Sequence, residues 1–190
     1  MSAMRSRLVI GLAGSIGAGK GTAAAYLERR YGAEVFLFSD PFRKILEVLQ
    51  MDVSRANMQQ LSSVLRQSYG QDILSNVAKK AIDSSHRRVV VIDGARRVSD
   101  LEGIASDENF RLLYIDADLR TRYDRVVRRA QNRGDSEKSF EEFCKEENGE
   151  AESATKGLKE NAHTVINNDI GESEFYAAID AFVLEHLGTP

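Results

Sequence analysis

Cysteine, proline and tryptophan are nearly missing from this chain of 190 residues. A single cysteine, Cys144, excludes an internal disulfide framework and a cysteine-based metal cluster. Two prolines, Pro41 and Pro190, leave no proline-rich linker, and no repeat or low-complexity tract divides the chain. Residues 1–190 are therefore expected to form one domain. Long apolar runs are missing too. No stretch approaches the roughly 20 apolar residues of a membrane span, and Leu8–Ala13 is too short for a signal core before it runs into glycines. A strong excess of one charge is also absent. The net charge of −3 argues against a general nucleic-acid coat or a membrane-surface protein. His86, His163 and His186 lack ligand-like spacing. The expectation is a cytoplasmic protein, monomer or homodimer, that engages neither nucleic acid nor membrane.

What is present is alternation. Short apolar runs (Leu8–Leu12, Glu34–Phe38, Val89–Ile92, Leu112–Ile115, Thr164–Ile166) are separated by longer helix-forming stretches. The run Val89–Ile92 is continuously β-branched, as in a strand buried on both faces. Helices are expected over Lys20–Tyr31, Phe42–Gln50, Ala56–Ser84 with a break near Tyr69-Gly70, Leu119–Asn132, Ser139–Asn148 and Ser173–Leu187. Ser139 with Glu142 three positions on forms a capping box. Such alternation implies a parallel five-stranded sheet covered by helices on both faces, an α/β three-layer architecture. Ligands in such sheets sit at the carboxyl ends of the strands.

After the first strand the chain reads Gly14-Ser15-Ile16-Gly17-Ala18-Gly19-Lys20-Gly21-Thr22. Gly14, Gly19 and Lys20 have the spacing of a phosphate-binding loop. Glycines let successive N–H groups converge on one anion, the following helix points its positive end there, and Lys20 adds a full charge. A dinucleotide fingerprint fits less well: Thr22 replaces the third glycine, and a lysine has no role in it. Gly21 stands where such loops usually carry a magnesium-binding hydroxyl, which comes one position later.

The Gly-Lys-Gly-Thr ending resembles adenylate kinase and its nucleoside monophosphate kinase relatives. That resemblance implies a P-loop NTPase fold, ATP and Mg2+ as cofactors, and a small nucleotide acceptor. It assigns Gly14, Ser15, Gly17, Ala18, Gly19, Lys20, Gly21 and Thr22 to the triphosphate. It places Thr22 against phosphate, with the metal held largely through water.

Three further segments extend the likeness. Asp40-Pro41-Phe42-Arg43 resembles the acceptor-binding segment, and by it Arg43 grips the acceptor phosphate; Asp40 and Pro41 also suit a helix start by themselves. Asp93-Gly94-Ala95-Arg96-Arg97 follows the β-branched strand. Asp93 there suits a magnesium-water anchor, and the resemblance points to Arg97, or to Arg96 as in dephospho-CoA-kinase-like proteins. Between residues 120 and 133 stand six arginines, of which Arg122, Arg125 and Arg129 share a helix face. Stacked like charges call for an anionic ligand, and phosphoryl transfer supplies one. The segment resembles the lid of nucleotide kinases, over residues 120–150, with Arg125 and Arg129 as catalytic candidates beside Lys20. Asn168 matches the turn by the adenine. In the helical insert of residues 42–86, Arg66 is a candidate acceptor ligand.

The function expected is transfer of the γ-phosphoryl group of ATP to a nucleoside or deoxynucleoside monophosphate. One alternative is transfer to a sugar hydroxyl, as in dephospho-CoA kinase, with Asp40 taking the proton. Another is an ATP-binding switch with no small acceptor.

Overall fold

The computed structural model describes residues 7–129, 135–147, 155 and 157–187. Arg133, Gly134 and residues 148–152 lie outside them.

Five strands form one parallel sheet: β1 (Leu8–Ala13), β2 (Glu34–Leu37), β3 (Val89–Asp93), β4 (Phe110–Asp116) and β5 (Thr164–Asn167), in the order β2-β3-β1-β4-β5. Strand alternation splits the apolar side chains between two cores. Leu8, Ile10 and Leu12 join Leu27 of α1 (Lys20–Tyr31) and Phe175, Ile179 and Phe182 of the terminal helix α8 (Glu172–Leu187). Val9, Val90, Ile92 and Leu112 face the other way. They pack on Phe42 of α2 (Asp40–Val48), on Leu74, Ala78 and Ile82 of α4 (Ile73–Ser84), and on Ile104 of α5 (Glu102–Ala105). A helix α3 (Arg55–Tyr69) completes the insert after β2. Two more, α6 (Leu119–Arg129) and α7 (Phe140–Glu147), follow β4.

β4 is longer than its apolar run because it begins at Phe110-Arg111. Phe110 is buried, and its ring fills the space where Gly11 lacks a side chain: a Cβ there would sit 2.7 Å from the ring. The Ser139–Glu142 capping box forms as expected. The Ser139 amide donates to Glu142 Oε2 at 2.8 Å, and the Glu142 amide donates to Ser139 Oγ at 3.2 Å. The Ser139 amide holds the Glu142 carboxyl below its ordinary range.

At the opposite end of the sheet from the phosphate loop, His163 Nδ1 accepts the Leu112 amide at 2.9 Å, so that nitrogen must be unprotonated. Burial, and then Arg111, hold His163 below its ordinary value, and His186 is lowered mainly by burial. The unfolded chain therefore takes up these protons more readily than the folded one. Their contribution to stability is full above the ordinary value of about 6.5 and is lost as pH falls through the depressed folded values. Thermal unfolding followed by circular dichroism should show Tm falling between pH 7 and pH 5, with His163→Asn flattening part of that fall. An unaltered slope in the variant would refute the assignment.

Candidate active site

The phosphate loop connects β1 to α1 and is braced from behind by its own neighbours. Arg125 Nη2 donates to the Asn168 carbonyl at 2.6 Å, and Asn168 Nδ2 donates to the Ala18 carbonyl at 2.7 Å. Arg122 reaches the Ile16 carbonyl at 3.3 Å. The loop carbonyls of Ile16 and Ala18 are thus turned toward α6 and the turn after β5. Two glycines make these approaches possible. A Cβ at Gly17 would meet the Arg122 carbonyl oxygen at 2.6 Å, and one at Gly19 would overlap Asn168 Nδ2. Both also hold positive φ, 79° and 111°. Gly21 differs: nothing lies within 4 Å of a Cβ built there.

In front of the loop is a cavity of about 920 Å³. Gly17, Gly19, Lys20, Gly21 and Thr22 line it, with Arg43 from α2, Asp93 from β3, and Arg125, Arg128 and Arg129 from α6. Arg29 of α1 and Tyr176 of α8 also border it. Tyr176 stacks on Tyr26 with centroids 4.1 Å apart, and the Arg29 guanidinium lies over both rings. Six cationic side chains and one carboxylate therefore surround this space, a balance suited to a polyphosphate. Gly14, Ser15 and Ala18 belong to the loop but not to the cavity wall; Ser15 is buried beside the Tyr114 phenol. The Lys20 ammonium donates to the Gly14 and Ser15 carbonyls.

A second cavity of about 430 Å³ adjoins the first, and the two share Leu37, Ser39 and Asp93 in their walls. Its remaining lining divides by chemistry. Phe38, Phe42 and Leu74 are apolar and buried. Gln59, Ser62 and Ser63 present amide and hydroxyl groups from α3, and Arg96 and Arg97 stand on the turn after β3. At the shared wall, Asp93 is 8% exposed and its Oδ1 is buried with no hydrogen-bond partner. Burial pushes its carboxyl up, against the opposing pull of Lys20.

Several expected site residues stand elsewhere than the sequence implied. Asp40 is half-buried in the first turn of α2 and lines neither cavity; Ser39 lines both instead. Asn168 is buried and spends its amide on the Ala18 carbonyl, so it shapes the loop from outside the cavity. Arg66 lines the second cavity, but it is buried and bridged to Asp100 at 2.5 Å. Arg122, on the arginine face of α6, points away from the cavity. It makes a two-pronged pair with Glu147 of α7, both bonds 2.8 Å, and lies over the Phe143 ring. Both arginines have lost their expected exposure to a buried acid, Asp100 or Glu147, that lies far away in sequence. Only Glu147 stood within a stretch noticeable for its acidity.

A family model described as an AAA domain (AAA_17) matches residues 13–144. The chain belongs to that family, and its fold is P-loop kinase-like. The chain is similar to a UPF0200 protein of Saccharolobus islandicus, 25% identical over 169 residues that cover 88% of this chain and 87% of that one. It is also similar to a UPF0200 protein of Staphylothermus marinus, 29% identical, with 72% and 70% covered. Among solved structures, TT1252 from Thermus thermophilus superposes with a TM-score of 0.62 at 21% identity, covering 95% of this chain and 98% of that one. Shikimate kinase from Acinetobacter baumannii in complex with shikimate superposes with a TM-score of 0.55 at 15% identity, with 96% and 94% covered. At these identities the solved structures bear on the fold.

Two outcomes follow from the buried groups. Asp93→Asn removes a charge that lacks a full set of partners. It should raise the stability of the ligand-free protein by about 1 kcal/mol in urea unfolding. A lowered Tm in that variant would contradict the account of Asp93. Glu147→Gln leaves the buried Arg122 guanidinium without its carboxylate and should cost about 3–5 kcal/mol in urea unfolding. A loss below about 1 kcal/mol, the range of a surface pair, would mean that the bridge is not buried in solution.

Proposed function

We propose that this chain is an ATP-dependent phosphotransferase that moves the γ-phosphoryl group to a nucleoside or deoxynucleoside monophosphate. One observation carries the reading: a cation-lined cavity at the phosphate loop meets, at Asp93, a smaller cavity whose walls suit a nucleotide. A base fits between apolar side chains, its edge can be read by Gln59, Ser62 and Ser63, and a phosphate suits Arg96 and Arg97. Both arginines belong to the second cavity, whereas Arg43 faces the first, where the transferred group would lie.

On this reading the loop amides and Lys20 hold the donor phosphates, and Arg43, Arg125, Arg128 and Arg129 neutralise charge that spreads over the moving group. The residues present fit magnesium in part. Asp93 Oδ1 has no other hydrogen-bond partner and Thr22 lines the same cavity, while no cluster of three ligating side chains occurs among the described residues. Asp93 and Thr22 would hold the ion, with water and phosphate oxygens completing its shell. When bound, magnesium offsets phosphate charge.

A second reading has one specific support. Asp93, poised at the shared wall with a raised proton affinity, could take the proton of a hydroxyl acceptor, a role for which Asp40 is out of place. The two readings differ in product, a phosphoanhydride or a phosphate ester.

Purified protein with Mg2+ and ATP, offered a panel of nucleoside monophosphates and of small hydroxylated acids, should yield ADP only with a monophosphate. Phosphorus NMR should show a new anhydride resonance, and Lys20→Ala should slow turnover by about 10²–10³-fold. An ester resonance would favour the hydroxyl reading. ADP release independent of every acceptor would overturn both.

A further inference from the structure

The turn after β3 carries Arg96 and Arg97, which this reading gives to the acceptor. An exposed turn with two adjacent arginines would ordinarily have to be ordered at the moment of binding. Here it is ordered beforehand. The Asp100 carboxylate is 2% exposed, and its Oδ2 accepts the backbone amides of Arg96 at 2.9 Å and Arg97 at 3.1 Å. Its other oxygen accepts Arg66 Nη2. Arg66 in turn donates Nη1 to the Gln71 carbonyl at 2.7 Å and Nε to Ser62 Oγ at 3.4 Å. One carboxylate therefore joins the turn at the end of a sheet strand to α3 and to the α3–α4 connection. Close by, Ser75 Oγ of α4 accepts the Gly103 amide at 2.6 Å, which ties α4 to α5.

We infer that Asp100 is a positioning residue, and Arg66 its counter-ion, that together preset the Arg96–Arg97 turn against the insert so that the second cavity is formed before the acceptor arrives. This rests on the proposed reading of that cavity as the acceptor site. It also reassigns Arg66: its guanidinium organises the cavity wall, and Ser62, held by the same group, presents its hydroxyl to the same cavity. A charged carboxylate is required, because both of its oxygens are committed to donors. Asn at position 100 would turn an amide N–H₂ toward either Arg66 or the backbone amides, setting donor against donor. The pair is deeply buried and charge-assisted, so the geometry is held without a long, flexible contact.

The test has two arms on the full chain. In the first, amide hydrogen exchange without ligand compares the wild type with Asp100→Asn. Protection at Arg96 and Arg97 should fall by about tenfold or more, while the Ala18 and Ala23 amides, which donate to the Ser15 and Gly19 carbonyls, keep theirs. In the second, kinetics with the monophosphate that the wild type uses should show KM for that acceptor rising about tenfold, with KM for ATP within about twofold. Arg66→Met, which keeps the Asp100 bonds to both amides, should keep their protection and raise acceptor KM by less. Because Asp100→Asn will also lower Tm, assays run well below that Tm, where lost stability alone leaves KM unchanged. Unaltered exchange at Arg96 and Arg97 overturns the inference, as does an equal rise in both KM values. A wild type that uses no monophosphate overturns the proposed acceptor class alone, and the exchange arm then decides the latch on its own.

Discussion

The structure depends on a backbone problem: a loop that turns its amides toward one anion must dispose of its carbonyls on the other side. Carbonyls left bare and buried would each cost on the order of 1–3 kcal/mol. Here those of Ile16 and Ala18 are met by Arg122 and by the Asn168 amide. Those of Gly14 and Ser15 are met by Lys20 itself. The bracing groups come from α1, α6 and the turn after β5, so the loop is supported by elements drawn from both ends of the chain. Their closeness is what forces glycine at positions 17 and 19. The loop therefore holds its glycines as much for what presses on it from behind as for what it faces in front.

The same economy explains the arginines of α6. Six basic residues within residues 120–133 look uniform in sequence, yet the five on α6 meet different neighbours. Arg122 turns inward to Glu147 and carries α7 with it, while Arg125, Arg128 and Arg129 border the cavity. Arg120 stays outside, paired with Asp124 and lying over the Tyr123 and Phe140 rings. Helical spacing alone groups Arg122 with Arg125 and Arg129. Arg122 and Arg125 stand about 60° apart around the axis, but Arg122 and Arg129 only about 20°, so the roughly 10 Å of rise between these two must also separate the residue that meets α7 from the one that borders the cavity.

Sheet, element order and phosphate loop were legible from residues 8–22 and from the β-branched run at 89–92, because strand burial and loop curvature are written in adjacent residues. The capping box at Ser139 was legible for the same reason. The partners of the acids were not. Asp100 lies three residues beyond Arg97 and would pass for a surface residue, and nothing near it announces Arg66, 34 positions earlier. Asp40 differs in the opposite way: its place beside Pro41 and ahead of Arg43 was read correctly as a helix start, but it is Ser39, one residue earlier, that lines both cavities, and Asp40 lines neither. Pairings across tens of residues are set by packing of whole helices, and no local pattern encodes them.

Position 21 lies in the first turn of α1 with open space around it, unlike Gly17 and Gly19 before it, which are wedged against neighbours. Its lack of a side chain is therefore not imposed by packing. The hydroxyl that most phosphate loops place here is something this scaffold has room for and forgoes; the next hydroxyl along the chain is that of Thr22. The identity of this one position and the integrity of the loop are thereby uncoupled, so selection could change the first without disturbing the second.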